Sequence, residues 1–110
     1  METEQLGTVR IAKQVLATII EMTALKVPGV VRFASVGGHF PRFLDREAPY
    51  RGIALTIADQ AVRTDLYLVV EKDSNMVQVA TSVQDAVGTA IEHMVGLTVK
   101  EINVYIQDVA

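Results

Sequence analysis

The sequence has 110 residues, half of them hydrophobic, and a formal net charge of −3 at pH 7, which together predict one soluble domain with an ordinary apolar core. It contains no cysteine, which excludes disulfides, thiolate metal ligands and a cysteine nucleophile and is typical of a reducing compartment. The first residues lack the basic and apolar pattern of a secretory signal, and no apolar run approaches the ~20 residues that span a bilayer. We therefore expect a cytoplasmic protein.

The first half of the chain predicts a helix, a short strand and a long loop. Residues 1–6 read as a loose N-terminus, and apolar residues then recur at helical spacing until Pro28 and Gly29 end the helix. The face expected to be buried consists of Ile11, Val15, Leu16, Ile19, Ile20 and Thr23. Val30 to Val36 predicts a strand, and residues 37–51 form the longest connection in the chain.

The second half predicts a hairpin, a second helix and a last strand. Gly52 to Ala58 and Val62 to Glu71 alternate in side-chain direction around a two-residue turn at 59–60, although this turn lacks the glycine that is usually favoured. Residues 72–75 supply N-cap candidates for a helix from Met76 to Val95, which Gly96 ends. Its expected buried stripe is Met76, Val79, Ala80, Val83, Val87, Ala90, Ile91 and Met94. The last strand runs from Thr98 to Asp108.

The order of these elements, α-β-β-β-α-β, predicts a fold of the α+β class. Consecutive strands pair readily as hairpins, and the second helix crosses over to the last strand. We expect a single domain over residues 1–110, with a small, mixed, mostly antiparallel sheet under two helices.

The polar residues do not predict an active site. His39 and His93 lack further ligands at a useful spacing, since a zinc site needs at least three. The serines at 35, 74 and 82 lie outside any nucleophile elbow, and Ser74 is better explained as a helix cap. Gly37 and Gly38 are not followed by a phosphate-binding pattern. We expect no catalytic residue, no metal and no cofactor.

Two surfaces are candidates for protein contacts. The loop over residues 37–51 concentrates aromatic and arginine residues, the types that anchor interfaces, namely Phe40, Arg42, Phe43, Arg46, Tyr50 and Arg51. The alternatives are a lobe that docks a partner protein or anionic lipid, and a structural role in which the aromatic side chains pack onto the core. The outward face of the sheet, with Tyr67, Val69 and Tyr105, predicts either a self-association interface or ordinary surface.

From the second helix onward the sequence resembles a known family. Val83, Gln84, Val87, the run Met94 to Val99 and the run Ile102 to Ile106 are similar to the C-terminal signature of the alkaline-shock, or envelope stress-response, family of Gram-positive bacteria. The front half agrees at Gly7, Ile11, Ala12, Val15, the turn at 28–31, Gly52 and Ile53. The resemblance implies a small cytoplasmic protein without assigned catalysis, linked to cell-envelope homeostasis and alkaline or general stress. It also implies self-association or a membrane-anchored partner, as in some members.

Two other functions stay open at this point. The chain is a regulatory or ligand-sensing subunit of lipid or envelope metabolism if the first helix encloses an apolar pocket with Phe40 and Phe43. It is a nucleic-acid-binding module if its tyrosines stack on bases, although the pI of about 5.3 disfavours this. We expect protein partners and a homo-oligomer, with no bound nucleic acid and no direct insertion into a membrane.

Overall fold

The computed structural model describes residues 7, 10–35 and 51–110, and its elements follow the predicted order. The chain forms helix α1 (Lys13–Leu25), strands β1 (Val30–Phe33), β2 (Ile53–Ala58) and β3 (Ala61–Val70), helix α2 (Met76–Ala90) with a π-helical turn (Ile91–Val95), and strand β4 (Thr98–Val109). The predicted α+β class and the order α-β-β-β-α-β are confirmed. The expected loose N-terminus and most of the 37–51 loop, including Phe40, Arg42, Phe43, Arg46 and Tyr50, lie outside the described residues.

The described strands form one mixed sheet with β3 at its centre. β4 runs parallel to β3 along its whole length, from the pair Ala61 and Thr98 to the pair Val70 and Val109. β2 and β1 are antiparallel to β3 and share its other edge, β2 beside residues 61–66 and β1 beside residues 68–70. The parallel pair requires a crossover connection, which α2 supplies. The mixed, mostly antiparallel sheet is therefore confirmed.

The predicted turn between β2 and β3 is confirmed at Asp59 and Gln60. Their φ angles are 54° and 64°, so both central residues adopt the left-handed conformation of a type I′ hairpin turn. Neither residue is glycine, so the conformation carries some strain. The regular pairing from Ala58 and Ala61 back to Ile53 and Leu66 holds this turn in place.

Both helices pack on the same face of the sheet and enclose the core. The largest fully buried hydrophobic residues are Leu16 and Ile20 of α1, Val83, Val87 and Ile91 on the second helical segment, and Ile53, Val62, Leu66, Leu68 and Val70 of the sheet. Thr64 is a buried polar residue of this face, and its hydroxyl donates a hydrogen bond to the carbonyl oxygen of Ala54 at 2.8 Å. The hydrogen bond removes the cost of burying that hydroxyl.

The prediction for the buried face of α1 was wrong at one end. Leu16, Ala17, Ile20 and Ala24 are buried, whereas Ile11 and Val15 are exposed. The helix has apolar side chains on two opposite sides, so hydrophobicity alone does not show which side faces the core.

The ends of α2 also differ from the prediction. Asn75, not Ser74, is the N-cap, because its side chain accepts the backbone N–H of Gln78 at 3.1 Å, whereas the hydroxyl of Ser74 donates to the carbonyl of Glu71. Met94 was expected to be buried but is 70% exposed. The π-helical turn adds a residue to the last turn, which moves Met94 outward, and Val95 packs against the core instead.

Candidate functional site

The side of the sheet opposite the helices carries two columns of polar and aromatic side chains. The register places Arg63 beside Glu101, Asp65 beside Asn103 and Tyr67 beside Tyr105 on the parallel strands β3 and β4. These side chains share a face because alternate residues of a strand point to the same side. We call these six residues the open sheet face.

Four of its residues form a continuous polar chain. The Nε of Arg63 donates to Oε1 of Glu101 at 3.0 Å, and the Nδ2 of Asn103 donates to Oε2 of Glu101 at 3.0 Å and to Oδ1 of Asp65 at 2.9 Å. The hydrogen bond from Asn103, followed by the positive charge of Arg63, lowers the pKa of Glu101 from its ordinary value of 4.5. Glu101 is therefore ionised at neutral pH, and its charge is matched by its neighbours.

The other two residues form an aromatic pair. The rings of Tyr67 and Tyr105 stack with their centroids 5.0 Å apart and their planes at 16°. Tyr105 is 44% exposed, so the pair presents a flat aromatic surface beside the polar chain. Val69, predicted to belong to the same surface, is only 3% exposed. Its register partners on the neighbouring strands are Arg32 and Asp108, and at this exposure it offers little contact area.

The predicted loop surface is described only at its C-terminal end. Arg51 adopts a φ of 51°, and its Nη1 lies 4.0 Å from Oε1 of Glu21 on α1. The chain leaves β1 at Ala34, whose N–H donates to the carbonyl of Tyr67 at 2.8 Å, and returns at Gly52, whose carbonyl accepts the N–H of Tyr67 at 3.0 Å. Both ends of the predicted loop therefore meet at the backbone of Tyr67, which joins the two candidate surfaces. Local sequence patterns gave no sign of this junction, because it depends on the pairing of three strands.

A groove between the helices is a feature that the sequence reasoning missed. It has a volume of about 570 Å³ and lies between the C-terminal end of α1 and the second half of α2 with its π-helical turn. Its lining is mainly apolar, and its ionisable residues are Lys26 and His93, with Met94 beside them. The pocket predicted with Phe40 and Phe43 would involve residues outside the described part. The exposed position of Met94, which helps form the groove, results from the π-helical turn and has no signal in the sequence.

The part of the chain that the structure describes, residues 7, 10–35 and 51–110, offers no cluster for a metal ion. Within these ranges no group of three or more His, Asp or Glu side chains lies close enough together to hold one. Neither helix in the same ranges is long and apolar enough to cross a bilayer.

The chain is similar to proteins of one family and to one group of solved domains. The family model that matches residues 1–110 is that of the alkaline shock protein 23 family, described by a cell envelope-related function. YqhY of Bacillus subtilis is 31% identical over 109 residues, which cover 96% of this chain and 78% of YqhY. Spy1614 of Streptococcus pyogenes is 27% identical over 106 residues, which cover 94% of this chain and 88% of Spy1614. The names of both relatives assign no function.

Among solved structures, the chain resembles MamM-CTD with a TM-score of 0.62 at 16% identity, over 88% of this chain and 99% of that one. A nickel form of a MamM CTD variant matches with a TM-score of 0.60 at 16% identity, over 86% and 96% of the two chains. At this level of identity the likeness shows a shared fold and nothing more.

Proposed function

The chain belongs to the alkaline shock protein 23 family, whose function is related to the cell envelope, and we propose that it serves there as a non-enzymatic adaptor or scaffold. It works in the cytoplasm, in envelope homeostasis and in the alkaline or general stress response. It acts by association with copies of itself and with protein partners, of which one is anchored in the membrane and holds the chain nearby. No step of this role requires the chain itself to enter the bilayer.

The stacked pair of Tyr67 and Tyr105 is the observation that carries the proposal. Tyrosine is enriched at the energetic centres of interfaces, because it offers a large contact area with few rotatable bonds. The two rings already restrain each other at 5.0 Å, so less side-chain entropy is lost when a partner covers them. A flat pair of rings on a sheet is suited to contact with a surface rather than to enclosing a substrate.

The polar chain beside the tyrosines supports the same role. A twofold contact centred on the two rings would place four tyrosines in the middle and would leave Arg63 and Glu101 of each copy toward the rim. This is the usual anatomy of an interface, with an apolar centre and a hydrated polar border. The salt bridge from Arg63 to Glu101 at 3.0 Å already pairs those two charges, and Asp65 accepts a hydrogen bond from Asn103 at 2.9 Å.

The test is the oligomeric state of single-charge variants. We expect light scattering after gel filtration to show an oligomer whose mass rises with protein concentration. Tyr105→Glu or Tyr67→Glu should convert it into a monomer with an unchanged circular dichroism spectrum. Thr81→Glu adds the same charge at an exposed position of α2 and should leave the oligomer intact. A monomer at every concentration, or an oligomer that survives both tyrosine substitutions, would contradict self-association through this face.

The groove between the helices favours a second candidate function, a ligand-sensing subunit of lipid or envelope metabolism. Its apolar lining, with the cation of Lys26 and the imidazole of His93 as polar groups, suits a molecule with an apolar body and an acidic group. Sodium laurate serves as the probe. Saturable binding by calorimetry that Ala86→Trp abolishes would support this function, and binding unchanged by that variant would reject the groove as the site.

A nucleic-acid-binding role finds less support on the open sheet face. Along β3, Asp65 lies between Tyr67 and Arg63, and Arg63 is paired with Glu101. On the other side of Tyr67, Arg32 of β1 and Asp108 of β4 flank Val69 in the register. A polyanion stacking on the rings would therefore meet carboxylates. Salt-sensitive retention of single-stranded RNA on a filter would overturn this reading.

A further inference from the structure

We propose that the outer face of α1 is a second interface, which takes an amphipathic helix with acidic side chains from a partner protein. This surface adds to the proposed adaptor function and lies on the opposite side of the domain from the open sheet face. Its distinguishing features are the exposure and spacing of its apolar residues and the charges at the two ends of α1.

The apolar residues of this face follow the spacing of a coiled-coil seam. Ile11, just before the helix, is followed by Val15, Thr18, Met22 and Leu25, at intervals of four, three, four and three residues. The four large apolar side chains are between 41% and 54% exposed. The hydroxyl of Thr18 donates to the carbonyl of Gln14 at 2.9 Å, so the polar group within the seam is already satisfied. We call these five residues the α1 stripe.

The fold itself does not need the α1 stripe. Leu16, Ile20 and Ala24, on the opposite side of the helix, are fully buried and anchor α1 to the core. At exposed helical positions, alanine or a long polar residue has a higher helix propensity than valine, so Val15 costs helix stability without gaining burial. A helix that is apolar on both sides is normally covered on both sides, and aligned exposed apolar residues mark an interaction site more often than isolated ones do.

The repeat and the charges together identify the occupant. Spacing of four and three residues matches the side-chain rows of another helix, the mode by which amphipathic helices dock. Residues 10–26 contain the cationic Arg10, Lys13 and Lys26 against one acidic residue, Glu21, which lies beside Arg51. This segment is therefore positive in a chain whose overall charge is −3. A helix with glutamates flanking its apolar seam is attracted, whereas a second copy of α1 would bring the same cations together.

The size of the stripe sets the expected strength. A helix of 13 residues is about 20 Å long, so its seam alone covers much less than the ~800 Å² per partner of a stable complex. We therefore expect weak, reversible recruitment, with a dissociation constant on the order of 10 to 100 μM. Weak binding suits an adaptor, because two copies that associate through the open sheet face would carry one stripe on each outer side. A partner with two such helices on a linker long enough to reach both sides would then bind with higher avidity.

The test uses two fluorescein-labelled model helices of 18 residues with the same leucine seam, one flanked by glutamates and the other by lysines. Anisotropy with the full-length protein should show binding of the glutamate helix at least 10-fold tighter than that of the lysine helix. Met22→Glu should abolish binding of the glutamate helix, and Lys26→Glu should weaken it while strengthening binding of the lysine helix. Thr81→Glu is the matched control, with the same added charge on α2, and should bind like the unmodified protein.

Several outcomes would overturn the inference. They include absence of binding by either helix, equal binding of both helices, and binding that survives Met22→Glu. If Met22→Glu changes the oligomeric state and not peptide binding, the stripe is instead a contact with a second copy. Loss of binding to vesicles of anionic phospholipid in Met22→Glu, without any peptide binding, would assign it to a lipid surface and equally reject the proposal. Tyr105→Glu should leave the dissociation constant of the monomer for the glutamate helix unchanged, so failure of the stripe and failure of the open sheet face are separable.

Discussion

Gly52 and Gly96 provide a matched test of the junction at Tyr67. Both adopt a left-handed backbone conformation, with φ angles of +85° and +82°. A Cβ atom at Gly52 would lie 2.9 Å from the carbonyl oxygen of Ala34 and 3.3 Å from that of Tyr67, whereas a Cβ at Gly96 would meet no atom within 4 Å. Replacement of each by alanine therefore imposes nearly the same backbone strain, but only Gly52→Ala adds a collision with backbone.

The expected losses of unfolding free energy follow from these two terms. The left-handed conformation costs alanine about 1–2 kcal/mol, and the reduced entropy of the unfolded chain offsets about 0.4–1 kcal/mol of this. Gly96→Ala should therefore lose about 1 kcal/mol. Crowding in a tightly packed site costs a further ~1–3 kcal/mol, because backbone atoms must shift, so Gly52→Ala should lose about 2–4 kcal/mol.

Urea unfolding followed by circular dichroism, at one protein concentration, measures both losses. Because β1, β2 and β3 meet at Gly52, we also expect Gly52→Ala to weaken self-association, whereas Gly96→Ala should not. Equal losses of stability in the two variants would refute the close approach of Gly52 to Ala34. A Gly52→Ala variant that loses less than about 1 kcal/mol would do the same.

Three further predictions concern single side chains. Met94→Gln should change the unfolding free energy by less than about 0.5 kcal/mol in urea, while Ile91→Ala should cost about 2–4 kcal/mol. A loss for Met94→Gln as large as that for Ile91→Ala would mean that Met94 is buried and that the π-helical turn is absent. Thr64→Val should lower stability by about 1 kcal/mol in the same assay, because the hydrogen bond from its hydroxyl to the carbonyl of Ala54 is lost. An unchanged midpoint would contradict that bond. The pKa of Glu101 is lowered on folding, so its ionised form stabilises the fold above pH 4.5 and that contribution is lost as the pH falls through the folded pKa. Glu101→Gln should therefore be less stable than the unmodified protein at pH 7, and a difference that grows toward pH 3 would contradict the polar chain.

The local elements of this fold could be predicted because their signals are local. Alternation along Gly52 to Glu71 predicted the hairpin, and the structure has β2 and β3 there with a two-residue turn. The turn was predicted without its usual glycine, and Asp59 and Gln60 do adopt positive φ angles. The pairing of two strands that follow one another in the chain determined this turn more strongly than the preferences of the two residues.

The remaining features depend on contacts between distant residues. The parallel pairing of β3 with β4 joins residues about forty positions apart, and nothing in the alternation of either strand specifies its partner. The packing of α1 against the sheet and α2 determines whether Val15 or Leu16 faces the core. The sequence of α1 does not, because it has apolar residues on both sides. The outward shift of Met94 requires the π-helical turn, for which residues 91–95 carry no distinctive pattern.

The candidate site was predicted in part for the same reason. Alternation correctly placed Tyr67 and Tyr105 on the face of the sheet away from the helices, but only the register of β3 against β4 brings their rings together. The partnership of Asp65 and Asn103 depends on the same register and was not predicted. Self-association through these residues stays a prediction until the oligomer is measured.

The two proposed surfaces share a physical cause. A domain of two layers covers one face of its sheet and one side of each helix, so an outer sheet face and outer helix faces are left toward solvent. Charged residues at such positions keep a protein soluble. Apolar side chains that stay exposed do not stabilise the fold, because they are not removed from water. Here the outer sheet face carries Tyr67 and Tyr105, and the outer face of α1 carries Val15 and Met22, although neither pair is required by the core. Side chains that lower solubility and add little to stability are best explained by the proposed contacts with other molecules. Because the two surfaces lie on opposite sides of the domain, one copy can make both contacts at once.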